Sequence, residues 1–175
     1  MIILAVDPGT EQSAFAMYDT EKKSLVRGGQ HPNEDFIRAV RGEYGLELYS
    51  SGMDKNIRNM TMVVEMFKSY GNVMGDSVLQ TCVWIGRFIQ AWPGQYELIP
   101  RKTVVTHLCM NPRANDSNVR MALIDRFSGG KGKSVAIGSK RSPGPLFGVK
   151  NDIWSALAIA VSWSEMREDL ENKLN

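Results

Sequence analysis

The opening run Ile2–Asp7 (IILAVD) limits the choice of fold more than any other segment. Five apolar residues are closed by an acid and then by Pro8-Gly9. A short apolar run ended by a turn reads as a buried strand, which requires a sheet around it. The segments that follow supply that sheet. Ser13–Tyr18 alternates as a second strand, Asp19–Lys23 is a polar turn and Ser24–Gln30 is a third strand, so the N-terminus reads as an antiparallel meander. Asn33 follows Pro32 as an expected N-cap, with Glu34 and Asp35 in the first turn of a helix reaching about Tyr44. Residues 45–58 carry no clear period and read as loop or irregular helix.

Thr61–Glu65 (TMVVE) is apolar enough for a central strand. A helix is expected from about Asp76 to Trp92, with Leu79, Cys82, Val83, Gly86 and Ile89 on the inward face. Pro93-Gly94 stops it, and Tyr96–Ile99 makes a fifth strand. Asn115–Phe127 is helical with Val119, Ala122, Leu123 and Phe127 inward. Ser128–Gly148, rich in Gly, Ser, Pro and Lys, has no packing period and reads as a mobile basic loop. A last helix from about Asp152 to Leu170 or beyond buries Ile153, Ala156, Leu157, Ala160 and Val161. The expected architecture is one α/β domain over residues 1–175, with a mixed sheet.

Composition narrows the class. The length of 175 residues suits a single core, and 43% hydrophobic with 23% charged residues is usual for a soluble globular protein. No apolar run approaches the roughly 20 residues that cross a bilayer. The N-terminus lacks the pattern of a secretory signal. Cys82 and Cys109 match no metal spacing and read as reduced thiols, so a cytoplasmic protein is expected. Net charge is only +2, yet residues 101–150 hold ten Lys/Arg against two Asp, while the remainder holds eleven against seventeen acids. That asymmetry favours a polyanion, nucleic acid above all, over a merely solvated basic loop. Candidate backbone contacts are Lys102, Arg113, Arg120, Lys131, Lys133, Lys140, Arg141 and Lys150.

Three carboxylates occupy unusual places. Asp7 and Glu65 end apolar strands, and Asp152 opens the final helix. Desolvating a charge costs several kcal/mol, so acids at the ends of core strands are better explained by a cation than by packing. Such acids make a hard-oxygen site for Mg²⁺ or Mn²⁺, and two ions about 4 Å apart can activate water and stabilise the leaving oxygen of a phosphodiester. Each acid also has a plainer reading: a turn for Asp7, a buried ion pair for Glu65 and a helix-dipole contact for Asp152.

Four ordered blocks carry a resemblance. ILAVDPGTEQSAFA, MVVEMFKSYGNVMG, VVTHLCMNPRANDSNVRMALIDRF and NDIWSALAIAVS resemble the RuvC group of Holliday-junction resolvases, and the ending KRSPGPLFGVKNDIWSALAIA is most similar to its bacteriophage-type members. The resemblance implies a ribonuclease H-like fold: a five-stranded mixed sheet, three strands antiparallel and two parallel, flanked by helices, usually in a homodimer. It places the family's three acids on Asp7, Glu65 and Asp152, each a metal ligand and catalytic residue with two Mg²⁺ or Mn²⁺ ions. It implies metal-assisted hydrolysis of branched DNA, at four-way and three-way junctions, leaving 5′-phosphate and 3′-hydroxyl ends in phage DNA recombination, debranching or packaging. No membrane and no small-molecule cofactor is implied. Two positions depart from the cellular members: Ser155 stands where they carry a fourth acid, and Asp116 where they tend to carry lysine, a charge that Arg113 or Arg120 would then supply.

Phe147 and Tyr70 are candidate wedges against an unstacked base, and the 76–92 helix, through Trp84, Phe88 and Trp92, is the candidate dimer surface. His31 and His107 read as structural. Rival functions are a nuclease acting on RNA or flap DNA, and a junction-binding protein that has lost catalysis. An ATP-binding fold of the actin and sugar-kinase type needs two domains, and GGKGKS at 129–134 lacks the phosphate-loop spacing.

Overall fold

The opening run lies at the centre of a five-stranded sheet of order β3-β2-β1-β4-β5. The computed structural model describes residues 1–41, 59–69, 71 and 74–174. Strand β1 (Ile2–Asp7) pairs antiparallel with β2 (Gln12–Asp19) and parallel with β4 (Thr61–Met66). β3 (Ser24–Pro32) extends the meander antiparallel, and β5 (Gln95–Pro100) runs parallel to β4 on the other side. This is the expected α/β mixed sheet.

The two-residue period of the strands divides the core into two layers. Ile3, Ala5, Ala14, Ala16 and Val63 face one layer, while Leu4, Val6, Phe15, Met17, Met62 and Val64 face the other. The first face meets α6 (Ile153–Leu174), the second α1 (Asn33–Val40) and α2 (Asp76–Ala91). Small residues on both surfaces, Ala5, Ala14 and Ala16 against Ala156, Ala158 and Ala160, suit close approach of helix and sheet. α6 is enclosed on its other side by α3 (Arg101–Cys109) and α4 (Asp116–Ser128), so Ile153–Ser164 is buried nearly all round. Gly28 in β3 matters to this docking: a Cβ there would stand 2.6 Å from Ile153 Cγ2.

Several expectations are corrected. The inward face of α2 is Thr81, Ile85 and Phe88; Leu79 and Val83 are exposed. The helix is apolar on two sides, so its period cannot choose between them, and packing of the Phe88 ring edge-on against Phe36 at 5.0 Å chooses. Phe88 and Trp92 are therefore core, and Arg87 lies over the half-buried Trp84 ring at 4.1 Å. Asn33 does not cap α1; its side chain bonds Gly9 and Ser13 instead. Helix α3, not anticipated, follows β5 without a loop, its β-branched run Thr103–Thr106 concealing a helix that buries Val104, Val105 and Leu108. His31 lies in β3, stacked on Phe15.

The Ser128–Gly148 segment is not featureless. It holds a short helix, α5 (Lys133–Ile137), and a bridge between Gly138 and Pro143. Ala136 and Leu146 pin it to the α6 layer, and Gly138 takes a left-handed φ of 69° where a Cβ would collide with the Ser142 carbonyl. Two apolar anchors in twenty-one residues are too few to show a period. The readings for residues 45–58 and Tyr70, and the end of the first helix near Tyr44, lie outside the described residues.

Candidate active site

Parallel pairing of β1 with β4 aligns Val6 with Val64, so Asp7 and Glu65 emerge side by side at the carboxyl end of the sheet. Polar bonds brace the turn after Asp7: the Gly9 N–H donates to Ser13 Oγ (3.2 Å), Ser13 Oγ donates to Asn33 Oδ1 (2.7 Å), and Asn33 Nδ2 donates to the Gly9 carbonyl (3.0 Å). Asp152 immediately precedes α6, after Asn151 in a left-handed conformation (φ 47°) that asparagine tolerates. Its Oδ2 accepts from Gln30 Nε2 at 2.8 Å, which ties the third acid to β3.

The electrostatics are those of crowded anions. Burial, followed by the charges of Glu65 and Asp152, pushes the Asp7 carboxyl up to about 7; Arg101 and a hydrogen bond from Ser155 oppose the rise. Glu65, only 8% exposed, is raised by burial and by Asp116 against the pull of Arg101. Ser155, at the position without a fourth acid, thus favours the ionised form of the first.

A cleft of about 390 Å³ opens here, lined by Glu65, Arg101, Asp116, Arg120, Asp152 and Ser155 among others. Arg101 Nη1 stands 3.5 Å from Glu65 Oε2, while Nη2 hydrogen-bonds Asp116. Arg120 lies over the Trp154 ring at 4.7 Å. A second groove of about 320 Å³ shares Arg101 and Val105 with the first and adds exposed Phe67, Lys68 and Lys102.

Asp7 thus stands within electrostatic reach of Glu65 and Asp152, which share a cleft with Arg120, and Lys102 lies in the adjoining groove. Arg113, Lys131, Lys133, Lys140, Arg141 and Lys150 are exposed and lie outside both cavities. Phe147 is also exposed. Sequence reasoning missed Arg101, Gln30 and Phe67. Arg101 had a signal, since it directly follows an apolar strand end, as do the acids. His107 bonds Glu165 (2.7 Å), which also holds Arg126 (2.9 Å), a staple joining α3, α4 and α6.

Asp7, Glu65 and Asp152 are hard-oxygen donors, the chemistry that a divalent ion takes, while Arg101 competes for one of them. Among the described residues no three acids, histidines or cysteines stand ready to enclose one. Glu65 is engaged by Arg101 and Asp152 by Gln30, so binding an ion requires these side chains to exchange partners.

The strand order and the two helical layers describe a mixed α/β fold of the kind found in RuvC. Among solved structures, the chain is similar to RuvC of Thermus thermophilus, with a TM-score of 0.56 and 16% identity over 97% of each chain. It is likewise similar to T. thermophilus RuvC in complex with Holliday junction substrate, with a TM-score of 0.59 and 15% identity over 96% of each chain. The likeness is one of fold. No protein-family model and no curated protein matches the sequence. Among the described residues, no helix is long and apolar enough to cross a membrane.

Proposed function

We propose that the chain is a metal-dependent endonuclease of branched DNA, acting on four-way and three-way junctions. The observation that carries this reading is that Asp7 feels the charges of both Glu65 and Asp152 at the carboxyl end of the sheet, beside a cleft that also holds Arg101 and Arg120. The junction-bound neighbour of like fold supports DNA as the polyanion that the basic 101–150 stretch would meet.

In this mechanism Asp7, Glu65 and Asp152 would hold Mg²⁺ or Mn²⁺, two ions in the full site. When bound, such ions supply an activated water and charge stabilisation for the leaving oxygen. Ser155 orients Asp7 and Gln30 orients Asp152. Arg101 and Arg120 meet phosphate at the mouth, the latter kept flat by Trp154. Lys102, Arg113, Lys131, Lys133, Lys140, Arg141 and Lys150 contact the backbone farther out. The products are a 5′-phosphate and a 3′-hydroxyl, consistent with recombination or debranching of phage DNA. A homodimer supplies two sites for paired cuts, and exposed Leu79 and Val83 on α2 suit its interface.

The test uses labelled four-way, three-way, flap and linear DNA, and RNA, with Mg²⁺, Mn²⁺ or EDTA, beside Asp7→Asn. Paired metal-dependent nicks near the branch, absent in Asp7→Asn, are expected. Binding without cleavage under every metal would leave a junction-binding protein instead, and a preference for RNA or flaps would reassign the substrate.

A further inference from the structure

Arg101 stands between two carboxylates of different kinds. Glu65 is buried and ends a core strand; Asp116 is 82% exposed and opens α4. One guanidinium reaches both, through different nitrogens. Its closer contact is the hydrogen bond to Asp116, and Glu65 receives the looser one at 3.5 Å. An arginine fork can instead engage one carboxylate with both nitrogens, and such a bidentate pair is stronger than a single contact. Around a buried acid, water competes least with that arrangement.

Resting on the metal-nuclease reading above, we propose that Asp116 is a positioning residue for the metal site. It draws Arg101 partly off Glu65 and so leaves the Glu65 carboxylate available to a divalent cation. Arg101 is the resident competitor for that carboxylate, and Asp116 holds the competitor at a distance. The backbone favours the division. Arg101 is the first residue of α3, directly after β5, while Asp116 sits at the first position of α4, whose N-terminus is fixed by the reciprocal Asn115–Asn118 capping bonds, each 3.0 Å. Both partners are thus anchored at helix starts, and the side chains alone need move.

The experiment is Mn²⁺ binding without DNA, read by the loss of the free-ion electron paramagnetic resonance signal. The proteins are the wild-type chain, Asp116→Asn, Arg101→Gln and the double variant. Circular dichroism checks the folds, and exposure of both positions makes their folding robust. Asp116→Asn is expected to weaken Mn²⁺ binding by up to about fivefold, the scale of one exposed ion pair. Arg101→Gln should tighten it. In the Arg101→Gln background, Asp116→Asn should have no effect, because no guanidinium remains to close on Glu65. Equal weakening in both backgrounds would make Asp116 a direct ligand or a plain through-space charge and would overturn the proposal. Unchanged binding in Asp116→Asn would overturn it as well while leaving the metal-nuclease reading intact. A wild-type chain that binds no Mn²⁺ would sink both.

Discussion

The acid end of the sheet and the basic segment after α4 are built in opposite ways. Asp7 and Glu65 sit on adjacent strands whose neighbours are fully buried, and their positions follow from the register. Lys131, Lys133, Lys140 and Arg141 project from a segment held chiefly by Ala136 and Leu146. On the proposed function, chemistry that needs ångström precision would sit on the rigid frame. Attraction for a long polyanion, which tolerates imprecision, would fall to exposed side chains. The two regions should therefore fail differently when altered.

The largest effect is expected at the frame. Asp7→Asn and Glu65→Gln should each reduce metal-dependent cleavage by about 1,000-fold, the several kcal/mol that metal-assisted charge stabilisation supplies. Junction binding, read by gel shift, should persist; joint loss of binding and cleavage would erase the division between the regions. Next comes the anchor of the basic segment. Leu146 is fully buried, so Leu146→Ala should lower stability by about 2–5 kcal/mol in chemical denaturation. A change below 1 kcal/mol would mean that the segment is not docked as described.

Charge removal on that segment should act more mildly. Replacing Lys131, Lys133, Lys140 and Arg141 together by alanine should flatten the salt dependence of junction affinity by roughly 3 in log–log slope. The cleavage rate at saturating DNA should hardly change. A rate that fell with the slope would place these side chains at the chemistry after all.

The smallest effect concerns pH. Asp7 ionises at about 7 in the fold against an ordinary 3.8, so the folded state holds a proton that the unfolded chain has lost. The contribution of Asp7 to the stability of the metal-free protein should thus be largest below about 3.8, fall as pH rises through about 7 and level off above it. Asp7→Asn removes this loss. Its Tm should exceed that of the wild type by several degrees at pH 8 and match it at pH 3.5, at about 2–4 °C per kcal/mol. The same protonation predicts that Mn²⁺ binding strengthens between pH 6 and pH 8. A Tm difference independent of pH would remove the crowded-anion account of Asp7.

What the sequence discloses follows the same division. The strands are legible because they are short, apolar and punctuated by turns, and Asp7 and Glu65 stand out because an acid there has few other uses. Asp152 is legible as a helix start, although its tie to Gln30 is not, since the two residues are 122 positions apart. α3 is hidden by β-branched residues that score as strand, and the inward face of α2 by apolar side chains on both flanks. Arg101 escapes notice because its partners come from β4 and α4, and only the folded sheet edge brings them together. Family resemblance names the acids. It is silent on the hydrogen bonds that orient them.

Gly28 gives the site a setting that can be adjusted from a distance. With no side chain, that residue lets the first turn of α6 settle against β3, one residue from the acid that Gln30 holds. Any larger residue there would act as a shim under Ile153, and a lift of that residue would carry the neighbouring acid with it. The spacing of the three acids can therefore drift through changes that touch neither ligand nor substrate. Such a shim offers natural variation, or a designer, a graded means of retuning the centre while every charged residue in it stays the same.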